Sequence, residues 1–178
     1  MDTETVVLGG GCFWCTEAVF TMLKGVQVAE PGYACATNTK RAPTYEEVSS
    51  GTTPYVEAIR LVYDPEQIAF EEILRVFFAS HDGTSLNKQG NDVGPQYASV
   101  IFYTTPRQQE KSQHYIDALN KSDFVKPLVT HIEPLGVFYL AEDYHQNYYE
   151  HHKDAPYCEL VIAPKVEKVG KSFKHLLK

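Results

Sequence analysis

The sequence has no surplus of positive charge: 16 Lys and Arg stand against 23 Asp and Glu, a formal net charge of −7. Nucleic-acid binding needs clustered cations to neutralise phosphates, and the short C-terminal tail holds the only basic run, so that partner class is disfavoured. A long apolar run and a basic leader are also lacking. Met1-Asp2-Thr3-Glu4-Thr5-Val6-Val7-Leu8 fits neither a signal peptide nor a membrane span, and a cytoplasmic protein without membrane attachment is expected. No repeat, low-complexity tract or Ser/Gly linker divides the 178 residues, so one domain over residues 1–178 is expected. Cysteine is scarce, with only Cys12, Cys15, Cys35 and Cys158. Reducing compartments keep structural thiols open, so cysteine chemistry rather than a disulfide framework becomes the question.

Strand-like and helix-like patterns alternate along the chain, as in an α/β or α+β domain. Val6 to Leu8 reads as a buried strand that passes through Gly9-Gly10-Gly11 into a helix from Cys12 to about Leu23, stopped by Gly25. Tyr55 to Tyr63 alternates as a central strand, with Tyr55, Glu57, Ile59, Leu61 and Tyr63 on one face. Phe70, Ile73, Leu74, Phe77 and Phe78 keep helical spacing up to about His81. Tyr97 to Tyr103 forms a further strand. Thr105-Pro106-Arg107-Gln108 then combines an N-cap, an N1 proline and a capping-box Gln, opening a helix to about Lys121. Val129 to Glu133 and Gly136 to Leu140 read as short strands. Two long connections, Gly32 to Pro54 and Asp82 to Gln96, are the places to expect function.

Cys12 follows the glycine run at a helix start, where backbone N–H groups and the helix dipole can stabilise a thiolate. A lowered pKa and a nucleophilic role are expected there, against the alternative of a small buried residue. The spaced glycine fingerprint of a dinucleotide loop is absent. Phe13 and Trp14 follow the candidate nucleophile directly and could wall a substrate methyl or thioether, or simply fill core. Glu57 shares a strand face with Ile59 and Leu61, where burial raises a carboxyl pKa and makes a proton donor near neutral pH. A carboxylate at the wet end of its strand is the competing reading.

At Gly10-Gly11-Cys12-Phe13-Trp14 the chain resembles the peptide methionine sulfoxide reductase A family. The likeness continues through Pro31-Gly32-Tyr33-Ala34, Pro43-Thr44-Tyr45-Glu46-Glu47-Val48, Ser50-Gly51-Thr52, Tyr63-Asp64-Pro65, the run Asn87 to Tyr97, and Phe138 to Gln146. This ordered series covers nearly the whole chain up to Cys158. The resemblance implies an α+β fold: a two-layer α/β sandwich with a mixed sheet, a ferredoxin-like core and an irregular C-terminal segment that wraps round. It implies reduction of the S epimer of methionine sulfoxide, free or in proteins, by a monomer. Cys12 would attack the sulfoxide sulfur and become a sulfenic acid. Phe13 and Trp14 would receive the substrate's ε-methyl group, Glu57 would protonate the sulfoxide oxygen, and Tyr45, Tyr97 and Asp92 would complete the polar site. Cys158, on a presumed loop, would resolve the sulfenic acid to a disulfide that thioredoxin reduces. No bound cofactor and no metal would be required.

Two cysteines depart from the family pattern. Cys15 stands where a glycine is usual, giving Cys12-Phe13-Trp14-Cys15, and Cys35 replaces another glycine. A C-x-x-C at a helix start resembles a thioredoxin-type dithiol, so a general thiol–disulfide oxidoreductase is the alternative function; a small core residue is the favoured reading of Cys15. Pro54-Tyr55 replaces the usual Gly-His before the acid strand. His145, His151 and His152 match no compact zinc spacing and read as a solvated helix face. Lys165, Lys168, Lys171, Lys174 and Lys178 likewise read as one solvated face.

Overall fold

The computed structural model describes residues 2–122 and 126–178. Strands β1 (Glu4–Gly10), β2 (Val26–Cys35), β3 (Val56–Tyr63) and β6 (Ser99–Tyr103) form the centre of a six-stranded sheet. The edges are β7 (His131–Pro134) and β8 (Val137–Leu140), in the order β7-β6-β1-β3-β2-β8. All pairs are antiparallel except β6 with β7, so the sheet is mixed. A separate two-residue ladder joins β4 (Lys88–Gln89) to β5 (Asp92–Val93). Helices α1 (Phe13–Thr21) and α3 (Phe70–Ser80) pack on one face, where Val6, Leu8, Ile59, Leu61 and Ile101 meet Phe13, Phe20, Ile73, Leu74 and Phe77. The mixed α/β class follows the sequence reading.

The sheet curls. Six flat strands at about 4.8 Å spacing would set the edges roughly 24 Å apart. Yet only Leu135 and Gly136 link β7 to β8, and three extended steps cover roughly 10 Å. The linker is held from both sides, Leu135 N–H donating to Tyr103 and Gly136 N–H to Cys35 of β2. The face turned away from the helices therefore closes on itself around small residues, Ala34 and Ala58 with Val7, Val100 and Phe102, under Leu135 and Phe138.

Several boundaries differ from expectation. Strand β2 begins at Val26 and runs through Cys35 into the supposed long connection, because its Gly32 lets Phe138 and Tyr139 of β8 approach the backbone. The same connection holds α2 (Tyr45–Ser49), opened by a Thr44/Glu47 capping box. Tyr97 ends a 3₁₀ turn (Pro95–Tyr97) just ahead of β6. Helix α4 (Pro106–Asn120) starts at the expected N-cap, with Thr105 Oγ1 accepting from Gln108 N–H.

The C-terminal part is less irregular than expected. Beyond α5 (Tyr148–His151), a π-helical turn (Cys158–Ile162) continues into α6 (Ala163–Ser172), which packs across α1 and α3. Pro164 lies inside this continuous helical run, directly after the π-helical turn, where the irregular hydrogen bonding accommodates its missing N–H.

Candidate active site

Cys12 is the N-cap residue of α1 and is half-buried. Gly11 before it has φ +90, and a Cβ there would lie 2.6 Å from the Gln89 side chain, so only glycine lets the β4–β5 hairpin close over this turn. The first N–H of α1 does not reach the thiol. Phe13 N donates instead to Glu57 Oε2 at 3.1 Å, and the helix has no side-chain cap.

The expected thiolate at Cys12 is therefore corrected. Cys12 and Cys15 stand one turn apart and titrate as a pair. The hydrogen bond from Cys12 pulls Cys15 down to about 7, helped by the charge of Lys165 and by Tyr157. The Cys12 thiol, donating that bond and buried near Glu57, is pushed well above the ordinary thiol value. Cys15 is buried in α1, as the core reading had it, and also in contact with the candidate nucleophile.

Glu57 on β3 is 2 % exposed, and burial pushes its carboxyl up to about 8. It is thus a protonated acid at neutral pH, as its strand face led us to expect. A cavity of about 80 Å³ is lined by Cys12, Phe13, Trp14, Tyr45, Glu57, Asp92, Tyr97 and Tyr157. With a water occupying roughly 30 Å³ of liquid, it has room for a methyl, a sulfur and one oxygen. Seven of these eight residues are the ones singled out from the sequence. They come from five separate stretches of chain: the β1–α1 turn, the start of α2, β3, the β4–β5 hairpin and the turn before β6. Burial raises the Tyr45 and Tyr97 hydroxyls, so both remain O–H donors.

The eighth residue, Tyr157, carried no role in the sequence reading. Its hydroxyl donates to Asp92 Oδ2 at 3.1 Å and lies 3.8 Å from Cys15 Sγ, and its ring stands edge-on to Trp14. The only available signal was its place beside Cys158.

Behind the cavity, Trp14 stacks on Tyr148 at 3.7 Å, and its indole N–H donates to His145 Nδ1 at 3.0 Å. His145 is fully buried, so the solvated-face reading holds for exposed His151 and His152 and fails for His145. The 3₁₀ turn Asp143–His145 is folded under the site and turns this histidine inward. Burial keeps its imidazole neutral, and accepting at Nδ1 places the proton on Nε2. Glu142 accepts from Tyr45 N–H at 2.9 Å and from the Tyr33 hydroxyl at 2.6 Å, anchoring the start of α2.

Cys158 does not sit on a loop. It is fully buried at the head of the π-helical turn, packed with Cys15 and Ile162 in a small cluster that Cys12 borders. Val161 and Ile162 supply the apolar side chains that hold this stretch against α1. Cys35 belongs to the main core on β2, where its thiol donates to Thr37 O at 3.0 Å. All four cysteines are free thiols. Tyr55, in the other divergent pair, is buried and donates to Arg41 O, tying down the loop before α2. Lys165 and Lys168 are not merely solvated: both line an open cleft of about 690 Å³ that Cys12 also lines. Among the described residues, no group of three or more His, Cys, Asp or Glu side chains is placed to hold a metal ion, and no helix is long and apolar enough to cross a membrane.

Comparison with known proteins agrees with this geometry. A family model described as peptide methionine sulfoxide reductase matches residues 4–177. The peptide methionine sulfoxide reductase MsrA of Chromobacterium violaceum is 48 % identical over 175 residues, 98 % of each chain. That of Picrophilus torridus is 48 % identical over 170 residues, 96 % of this chain and 95 % of the relative. Among solved structures, the reduced form of Mxr1 from Saccharomyces cerevisiae superposes with a TM-score of 0.77 at 28 % identity, covering 88 % of this chain and 89 % of that one. Methionine sulfoxide reductase A of Corynebacterium diphtheriae superposes with a TM-score of 0.72 at 35 % identity, covering 84 % and 75 %.

Proposed function

The chain belongs to the peptide methionine sulfoxide reductase family, an oxidoreductase that reduces methionine sulfoxide, and from that premise we propose how its own residues divide the reaction. The carrying observation is the convergence of a thiol, a neutral buried carboxyl, two tyrosine hydroxyls and an aromatic wall on one small cavity. The ε-methyl group rests against Phe13 and Trp14, and the sulfoxide oxygen accepts hydrogen bonds from Tyr45, Tyr97 and Glu57. Asp92, which accepts from Tyr157, fixes the wall opposite.

Cys12 sulfur attacks the sulfoxide sulfur while its proton passes to the neighbouring Cys15 sulfur. Glu57 gives its proton to the oxygen. The S–O bond breaks, methionine leaves reduced by two electrons, and Cys12 carries the oxygen as a sulfenic acid. Cys15 then attacks Cys12 Sγ and expels water, forming a Cys12–Cys15 disulfide. Cys158, packed against Cys15, can take over that sulfur by exchange, freeing the Cys12 thiol and leaving a Cys15–Cys158 disulfide. Thioredoxin is proposed as the external dithiol, and the exposure of Cys12 on the open cleft supports access for such a reductant. We further propose a cytoplasmic monomer without a bound cofactor or metal, selective for the S epimer.

The test is a mixture of the S and R epimers of N-acetyl-methionine sulfoxide with dithiothreitol, followed by chiral chromatography. The S epimer should disappear and the R epimer persist; equal consumption of both would overturn the stereochemical assignment. A general C-x-x-C oxidoreductase would instead reduce insulin disulfides and tolerate Glu57→Gln.

A further inference from the structure

The 80 Å³ cavity has room for a sulfoxide head group and little else, yet Cys12, Asp92 and Tyr157 also line the neighbouring cleft of about 690 Å³. That is the size of a site for a ligand of several residues rather than one side chain. Its walls are the end of α3, the β4–β5 hairpin and α6, and its charges are unevenly engaged. Asp82 is held by its own loop, accepting from Thr84 N–H, Thr84 Oγ1 and Ser85 Oγ. Asp92 accepts from Tyr157. On α6, Lys171 pairs with Glu167 and Lys168 donates to Ala79 O at 3.1 Å. Lys165 is half-buried and takes part in none of the ion pairs found among the described residues. Its charge reaches Cys15 and His81, which places an unpaired cation on the α6 wall of the cleft in an otherwise acidic molecule.

We propose that this cleft seats the polypeptide flanking the oxidised methionine, and that Lys165, with Lys168 beside it, selects substrates carrying Asp or Glu within two residues of that methionine. The proposal rests on the reductase reading and names a preference among its protein substrates. Continuity with the head-group cavity supplies the occupant, because a side chain inserted beside Cys12 leaves its backbone in the cleft. Lys165, the cleft cation that lacks both an ion pair and a hydrogen bond among the described residues, supplies the local charge complementarity, while Asp82 and Asp92 are turned to their own hydrogen-bond donors. A partly buried ion pair formed with the substrate should be worth about three- to tenfold in specificity, decreasing with salt.

The experiment compares kcat/KM for three blocked pentapeptides with central methionine sulfoxide and Glu, Ala or Lys on both sides. Dithiothreitol is the reductant, and each value is divided by that for N-acetyl-methionine sulfoxide amide. The wild-type ratio of Glu to Lys peptide should be about three to ten at low salt and approach one at high salt. In Lys165→Glu the ratio should fall below one. A wild-type ratio near one, or a ratio that survives Lys165→Glu, would overturn the proposal. Failure of the wild type to reduce the amide itself would instead refute the reductase reading on which the proposal stands.

Discussion

At the residue scale the decisive group is Glu57. Burial pushes its carboxyl from the usual 4.5 to about 8, even though it accepts a hydrogen bond from Phe13 N–H, which lowers it. A folded-state pKa above the unfolded one means that the native state holds an extra proton between those two pH values. Stability therefore falls as pH rises through the window, by on the order of 3 kcal/mol at pH 7. Glu57→Gln should remove that penalty, raising the thermal midpoint at pH 8 and leaving it nearly unchanged at pH 4.5. The same variant should lose about 10²- to 10⁴-fold in kcat, the usual contribution of a positioned acid. Wild-type turnover should decline above pH 8 as the acid form is depleted. A Gln variant both active and less stable at pH 8 would contradict this account of the carboxyl.

At the element scale, the site depends on how separate segments are pinned together. Trp14 on α1 and His145 on the 3₁₀ turn share one part-buried hydrogen bond, and Tyr148 completes the stack. Replacing His145 by Leu leaves the indole N–H without its partner, which should destabilise the fold by about 1–3 kcal/mol and raise the substrate KM more than it lowers kcat. Chemical denaturation with peptide kinetics checks both, and an unchanged KM would show that the ring is positioned without His145. The sequence already revealed β1, α1, β3, α3 and α4, whose apolar periodicity and caps are local. It concealed the start of β2, whose pairing depends on distant β3 and β8 and on the close approach at Gly32. The inward turn of His145 and the helical setting of Cys158 were hidden for the same reason: tertiary packing decides them, and a histidine among polar neighbours carries no periodic signal. The Thr44-x-x-Glu47 capping box was readable and would have located α2 and, with it, the anchoring of Tyr45. The pKa expected to fall at Cys12 is raised because the thiol donates to Cys15 and is buried, and Phe13 N–H, the helix-start donor assumed to serve it, is engaged by Glu57, forty-four positions away.

At the scale of the whole molecule, the C-terminal part closes the fold over the reactive thiols. Phe173 and Leu176 are buried in the main core, Leu23 bridges Leu177, and Lys178 N–H donates to Met22 O. Truncation after Lys171 removes two large buried side chains, each worth about 1.5–3 kcal/mol, and exposes the base of α1. The thermal midpoint should drop by about 10 °C, measured by differential scanning calorimetry. A midpoint within 2 °C of the full chain would show that the tail adds nothing to the core.

The central claim is that Cys12 supplies the two electrons that reduce the sulfoxide, and that Cys15 and Cys158 restore them to Cys12 as they become a disulfide. Its most direct test is a single turnover without reductant, counting methionine formed per protein and mapping the disulfide by mass spectrometry. With substrate in excess, wild type should give about two methionines, the second from the Cys12 thiol freed when the disulfide moves to Cys15 and Cys158, and Cys15→Ser with Cys158→Ser should give one methionine, with Cys12 trapped as a sulfenic acid. Cys12→Ser should give none, and a full equivalent of methionine from that variant would contradict the account.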